Sequence, residues 1–202
     1  MNEYIIRKET PADWAEVETL TREAFWNVYR PGCDEHLLVH NLRNHPDCIE
    51  ALNHVVEYDG RIVGHILYSH SRILSGNESF PAITFGPLSV IPDMQRKGVG
   101  SLLVRHTLPL AKAMGFSGVL IEGNPDYYHR FGFIDAENYG ISMSDGTFSP
   151  CMMALEFIPG ALHHAGSVQH AAAYTTDPEQ LIEFEKRFPP KVMRAPRPGD
   201  LN

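Results

Sequence analysis

The stretch from Gly86 to Gly100, GPLSVIPDMQRKGVG, continuing into SLLVRHTLPLAKAMGF, constrains the fold of this chain more than any other. Leu88, Val90 and Ile91 read as a buried strand that Pro92 and Asp93 end. The loop Met94-Gln95-Arg96-Lys97-Gly98-Val99-Gly100 then turns into a long helix, with Val99, Leu102, Leu103, Leu110 and Met114 at or near helical spacing. A strand, a donor-rich loop and a helix in this order turn unpaired N–H groups and the positive helix end toward the loop. That is an anion site, best fitted by a phosphate or pyrophosphate. The stretch lacks the GxxxxGK[ST] spacing of a P-loop, and no acidic residue stands where a dinucleotide-binding unit would need one. On residues alone, a merely tight strand-to-helix turn satisfies the same pattern.

The flanking sequence supplies a sheet. Tyr4-Ile5-Ile6-Arg7 is a short strand, and Thr10 caps a helix with Pro11 at its first position, running to about Phe25. A second helix is expected between Asp34 and Asn44. Between them Trp26, Tyr29 and the Pro31-Gly32 turn serve either as core cover or as a substrate wall. Asp59-Gly60 joins two strands as a tight hairpin, Ser75 to Glu78 turns the chain again, and Ile83, Phe85, Leu88 and Val90 form the third strand of a meander. The long helix, which Pro109 should bend about two and a half turns beyond the loop, crosses to a strand at Gly118 to Glu122. A final strand is expected at Cys151 to Phe157. The fold class is a mixed α/β layer, mostly antiparallel, with helices on both faces.

Beyond Pro159 the pattern is lost: residues 160–176 show no periodicity, Asp177 and Pro178 open one helix toward Phe188, and Pro189, Pro190, Pro196 and Pro198 predict an extended end. We read 1–158 as one domain and 159–202 as an extension packed on it or on a partner subunit. The formal charge of -8 opposes a general nucleic-acid or anionic-membrane binder. No leader or membrane-spanning window is evident, and Cys33, Cys48 and Cys151 without a CxxC pair fit reduced thiols in a cytoplasmic protein. Eleven histidines make no metal pattern; His163, His164 and His170 are read as solvent-facing, and His54, His65 and His70 as structural rather than cleft residues.

Gln95-Arg96-Lys97-Gly98-Val99-Gly100 resembles the acetyl-CoA motif of the GCN5-related N-acetyltransferases, the GNAT superfamily, written Q/R-x-x-G-x-G/A. Asn124-Pro125-Asp126-Tyr127-Tyr128-His129-Arg130-Phe131-Gly132-Phe133 is similar to its second signature, and the resemblance spans roughly Asn2 to Phe157. It implies two central parallel strands that splay apart around the cofactor. Leu88, Ser89 and Val90 would face the pantetheine arm, and Arg96 through Ser101, with Gly98, Val99 and Gly100 between, would wrap the pyrophosphate. Arg96 and Lys97 would add charge at the rim, and Asn124 would contact the pantetheine near the thioester. Phe131 would pack on the cofactor or the core.

The implied reaction moves acetyl from the thioester of acetyl-CoA to a primary amine, with no metal. Tyr128 matches the position that protonates the departing sulfur, the other reading being an aromatic that only packs the arm; Tyr127 is the fallback. For the base, Thr84 to Val90 offers no carboxylate. Glu122, at the end of the next strand, is the first choice, although it could equally cap the turn at Gly123 or face the following helix. An acyl-CoA-binding sensor without efficient transfer is the alternative function. A homodimer through the last strand or the extension is open.

Overall fold

The computed structural model describes residues 3–197; Asn2, Pro198 and the outer ends of both expected segments lie outside them. The chain enters its sheet at β1 (Ile5–Lys8) and leaves it through a 3-10 turn at Pro11–Asp13. There the Thr10 N–H and hydroxyl both donate to Asp13 Oδ2, at 2.7 and 2.8 Å. The Arg7 guanidinium grips the same carboxylate and holds its pKa far below the usual range. Helix α1 (Trp14–Phe25) therefore begins one turn after Pro11, and α2 (Glu35–Arg43) follows. Asp59 and Gly60, with φ of 53° and 74°, make the expected tight turn between β2 (His54–Tyr58) and β3 (Arg61–Ser75). The meander ends with β4 (Glu78–Val90).

Helix α3 (Val99–Ala113) crosses to β5 (Gly118–Glu122) and runs through Pro109. Its buried stripe is Val99, Leu103, Val104, Thr107, Leu108 and Ala111, whereas Leu110 and Met114, apolar positions at or near helical spacing, are 36% and 48% exposed. Thr107 takes the buried place because its hydroxyl is satisfied by Leu103 O and by the Tyr68 hydroxyl. The short helix α4 (Pro125–Tyr128), β6 (Ile134–Asp135), β7 (Ile141–Ser142) and β8 (Met152–Glu156) complete the expected domain.

The sheet runs β1-β2-β3-β4-β5-β8-β6 and is antiparallel along this order except between β4 and β5. Helix α3 covers one face over Val63, Ile66, Ile83 and Val119. On the other, Val17 and Leu20 of α1 and Val39 of α2 pack on Val55 and Ile62. The parallel pair meets only at Ile83↔Val119 and Thr84↔Leu120. Just beyond, the β3–β4 register shifts, leaving Gly86 and Pro87 opposite Leu67. Such a bulge bends its strand, and Pro87 has no N–H to offer a neighbour. From Phe85 to Val90, β4 diverges from β5 unpaired on that side, as a splay requires.

The segment after Pro159 departs from its reading as irregular. Gly166–Gln169 is a strand, β9, which takes the edge of β3 that β2 leaves free and pairs Arg72↔Gln169 through Leu74↔Ser167. Gly166 permits this approach, since a Cβ there would lie 2.2 Å from Leu74 O. Alternation over four residues is too short a signal, and backbone pairing on an open edge decides the conformation. Helix α5 (Pro178–Glu185) is capped by Asp177 as expected. Glu185 reaches Arg22, which is 3% exposed, at 2.7 Å and lies 2.7 Å from the buried His36 ring. Beyond α5, Val192 O accepts from Trp26 Nε1, so Trp26 covers the extended tail.

Removing one partner of a buried ion pair leaves the other charge uncompensated, so Glu185→Ala should lower unfolding free energy by about 3 kcal/mol. Urea denaturation measures this, and hydrogen exchange should rise across α5 and β9. Burial pushes the His36 imidazole down to about 4, from an ordinary 6.5. The folded state thus refuses a proton that the unfolded chain accepts. This contribution is present above about pH 6.5 and is lost as pH falls toward 4.

Candidate active site

The divergence of β4 from β5 opens a cleft through the sheet, and each wall carries distinct chemistry. Ile91 N–H donates to Val63 O at 3.0 Å, which fixes the phase of β4 against β3. Alternation then points the N–H groups of Leu88 and Val90 away from β3, into the opening. Ser89 lies on the opposite phase: its hydroxyl is fully buried against Thr21 Oγ1 at 3.0 Å. Gln95 Nε2 donates to Val90 O at 3.1 Å and so fastens the following loop to the strand.

That loop is held by strained backbone. Arg96 has φ of 58° and Gly98 has φ of 88°, and a Cβ on Gly98 would meet nothing within 4 Å. Gly98 is therefore needed for its backbone conformation. Arg96 and Lys97 are exposed, and Lys97 Nζ lies 3.8 Å from Met94 Sδ. Val99 anchors the helix start in the core, close enough to Gly64 of β3 that a Cβ there would lie 2.6 Å from Val99 Cγ1. The first helical hydrogen bond runs from Leu102 N–H to Gly98 O, so the N–H groups of Val99, Gly100 and Ser101 precede it and face the loop.

Gly100 is crowded by protein: a Cβ would lie 2.7 Å from the Tyr127 hydroxyl, which is 3.4 Å from Ser101 Oγ. Asn124 Oδ1 caps α4 by accepting from Asp126 N–H at 2.9 Å, a structural task the sequence reading did not give it. The Tyr128 ring lies over Gly123, where a Cβ would be 2.4 Å from Cε2, and against Phe85 and Phe133. Burial pushes the Tyr128 phenol well above its ordinary pKa of 10, and among the described residues its hydroxyl has no hydrogen-bond partner. Phe131 packs on Tyr127 and beneath Arg105.

Thr84 and Glu122 lie on the other face of the sheet, since their neighbours Ile83, Phe85 and Ile121 turn toward α3. Glu122 Oε1 is 3.0 Å from His170 Nε2, and His170 Nδ1 is 3.2 Å from Thr84 Oγ1. The Tyr174 ring flanks His170 at 5.2 Å while its hydroxyl donates to Gly86 O at 3.1 Å. The reading of His163, His164 and His170 as solvent-facing holds for His163 alone. His164 stacks on Phe80 at 3.5 Å, and the His170 side chain is 16% exposed. No local pattern marks His170, because β9 brings it to Glu122 across 48 residues. Of the three strand histidines, His54 and His65 are buried, whereas His70 is exposed with its ring edge-on to Phe116. Among the described residues no group of three His, Cys, Asp or Glu could hold a metal ion, and no helix is long and apolar enough to cross a membrane.

The family model of the acetyltransferase (GNAT) family matches residues 14–133. The uncharacterized N-acetyltransferase YjhQ of Escherichia coli K12 is 34% identical over 130 residues, 64% of this chain and 67% of that one. A GNAT family acetyltransferase from Brucella melitensis, solved in complex with acetyl-CoA, is 31% identical with a TM-score of 0.70, covering 87% of this chain and all of that one. YhbS of Escherichia coli, solved with CoA, shares the fold at a TM-score of 0.76 and 24% identity, covering 86% of this chain and 93% of that one. The chain belongs to the GNAT family of acetyltransferases.

Because Gly98 has free space around it and an unfavourable φ for any other residue, Gly98→Ala isolates backbone strain from steric clash. We expect a loss of about 1 kcal/mol in chemical denaturation.

Proposed function

We propose that this protein binds acetyl-CoA in the opening between β4 and β5 and transfers its acetyl group to a primary amine. The observation that carries the reading is the splay itself, with the donor-rich start of α3 at one end. The pyrophosphate would lie against the N–H groups of Val99, Gly100 and Ser101, with Arg96 and Lys97 at the rim. The pantetheine arm would run along Leu88 to Val90 as an added strand, bonding the outward backbone groups of Leu88 and Val90. Tyr127 and Phe131 would flank it; Ser89 would only space Leu88 from Val90, its backbone groups facing β3 and its side chain being committed to Thr21.

The amine nitrogen attacks the thioester carbonyl carbon, the C–S bond breaks as the tetrahedral intermediate collapses, and the amine gives up one proton. Glu122, 46% exposed beside the opening, takes that proton directly or through a water. The Leu88 or Val90 N–H steadies the developing oxyanion. Tyr128 returns a proton to the thiolate; its raised pKa keeps the phenol protonated until then. Acid and base so stand on opposite faces of the sheet, with the acyl group between them.

The reading is tested by release of CoA thiol from acetyl-CoA with a panel of small amines and peptides. Amine-dependent release is expected from the wild type. In Tyr128→Phe, kcat should fall roughly 10²-fold, a typical contribution of general acid catalysis. Acetyl-CoA affinity and thermal stability should stay unchanged, since the lost hydroxyl has no hydrogen-bond partner among the described residues. Saturable binding without release for any amine would leave an acyl-CoA sensor, and absence of binding would sink the assignment.

A further inference from the structure

The extension beyond Pro159 places one imidazole against the proposed base. His170 spends both ring nitrogens inside the protein, Nε2 on Glu122 Oε1 and Nδ1 on Thr84 Oγ1. It therefore has no nitrogen left for an acceptor, whereas Glu122 engages His170 through Oε1 and, among the described residues, keeps Oε2 without a partner. From this geometry we propose that His170 is a positioning residue, supplied by the extension, that fixes the Glu122 carboxylate at the acceptor side of the cleft. The proposal rests on the transfer reading given above.

The proton arrangement follows from what each atom can do. With His170 neutral and protonated on Nε2, that N–H donates to the Glu122 carboxylate and Nδ1 accepts from the Thr84 hydroxyl, so every group is satisfied. A carboxylate at a strand end otherwise samples several rotamers, and a charge-assisted bond to a largely enclosed ring selects one. The ring is in turn held on three sides. Tyr174 covers its face and is tied to Gly86 O, β9 hydrogen-bonds to β3 immediately before it, and Ala171 after it is buried against Leu38, Leu42 and Leu67. Thr84 is 3% exposed and sits on β4 at the last residue pair that β4 makes with β5. Thr84, His170 and Glu122 together bridge the two strands where their backbone pairing stops.

Two measurements test this. In long-range nitrogen–proton spectra of histidine-labelled protein, His170, assigned by its loss in His170→Gln, should show the Nε2-protonated tautomer. Its ring signals should shift in both Glu122→Gln and Thr84→Val. In the thiol-release assay, using an amine that the panel identifies, His170→Leu should lower kcat about tenfold, less than loss of the base itself. KM for acetyl-CoA should be unchanged. His170→Gln, which keeps an N–H donor toward Glu122, should recover most of the rate. In a Glu122→Gln background, His170→Leu should cost nothing further, because a residue that acts only through Glu122 cannot act without it. Should His170→Leu fail to fold, Thr84→Val takes its place in the cycle.

Additive losses in the cycle, an unchanged kcat in His170→Leu, or ring signals indifferent to Glu122→Gln would overturn the proposal. Wild-type turnover in Glu122→Gln with shifted ring signals would instead remove Glu122 as base while keeping the pair. No turnover at all would count against the transfer reading, and the ring spectra alone would then decide whether His170 holds Glu122.

Discussion

The contact between β4 and β5, confined to Ile83↔Val119 and Thr84↔Leu120, is the constraint on which the rest of the structure depends. Parallel pairing continued toward Val90 would close the sheet and consume the backbone groups of Leu88 and Val90. The bulge at Gly86-Pro87 opposes it, because the strand bends where the two part. An unpaired strand edge inside a fold is costly unless its polar groups find partners. Here the carbonyls of Gly86 and Val90 are taken by the Tyr174 hydroxyl and by Gln95 Nε2. What the edge offers is thereby weighted toward donors, the polarity that a thioester carbonyl and its oxyanion require.

Keeping such an opening requires support from outside the strands, and much of it comes from the C-terminal segment. Leu162, Val168, Ala171, Ala173 and Phe184 are buried there, so the segment adds to the cores on the face opposite α3. Its attachment has a charged centre, since Glu185 meets an almost fully buried Arg22 on α1. Such a pair adds little net stability relative to apolar packing, yet it is strongly destabilising to break singly, and it favours one docking register. Asn41 and Gln180 exchange amide hydrogen bonds beside it, fixing α5 against α2.

The central features were legible because each rests on local chemistry. Asp59-Gly60 announces positive φ at adjacent positions, Gln95 to Gly100 carries its motif within six residues, and Gly118 to Glu122 shows the apolar run of a strand covered on both faces. The errors lie where a distant partner decides. Leu110 and Met114 fit helical spacing as well as Leu103 does, and Thr107 is buried instead because the distant Tyr68 hydroxyl, with Leu103 O, satisfies it. Gly166-Ser167-Val168-Gln169 contains one apolar side chain, so its strand depends on the exposed edge of β3. Asn124, which reads as a ligand contact from its motif, carries a further local task, its oxygen capping α4. Glu122 could be named from its place on β5, but its partner His170 could not, because nothing within several residues of His170 encodes the meeting.

The two faces of the opening also differ in origin. Gln95 to Ser101, Tyr127, Tyr128 and Phe131 all lie within the stretch that the family model matches, residues 14–133, and so do Thr84 and Glu122. His170 and Tyr174 lie outside it, yet they contact those same strands directly. The α3 side is thus built within the matched stretch, from backbone donors and aromatic rings. The opposite side is finished by the added segment, whose His170 and Tyr174 bond Thr84, Glu122 and Gly86. Changes in the added segment therefore reach Glu122 and the β4 edge directly, and reach α3 and its loop only through the sheet between them.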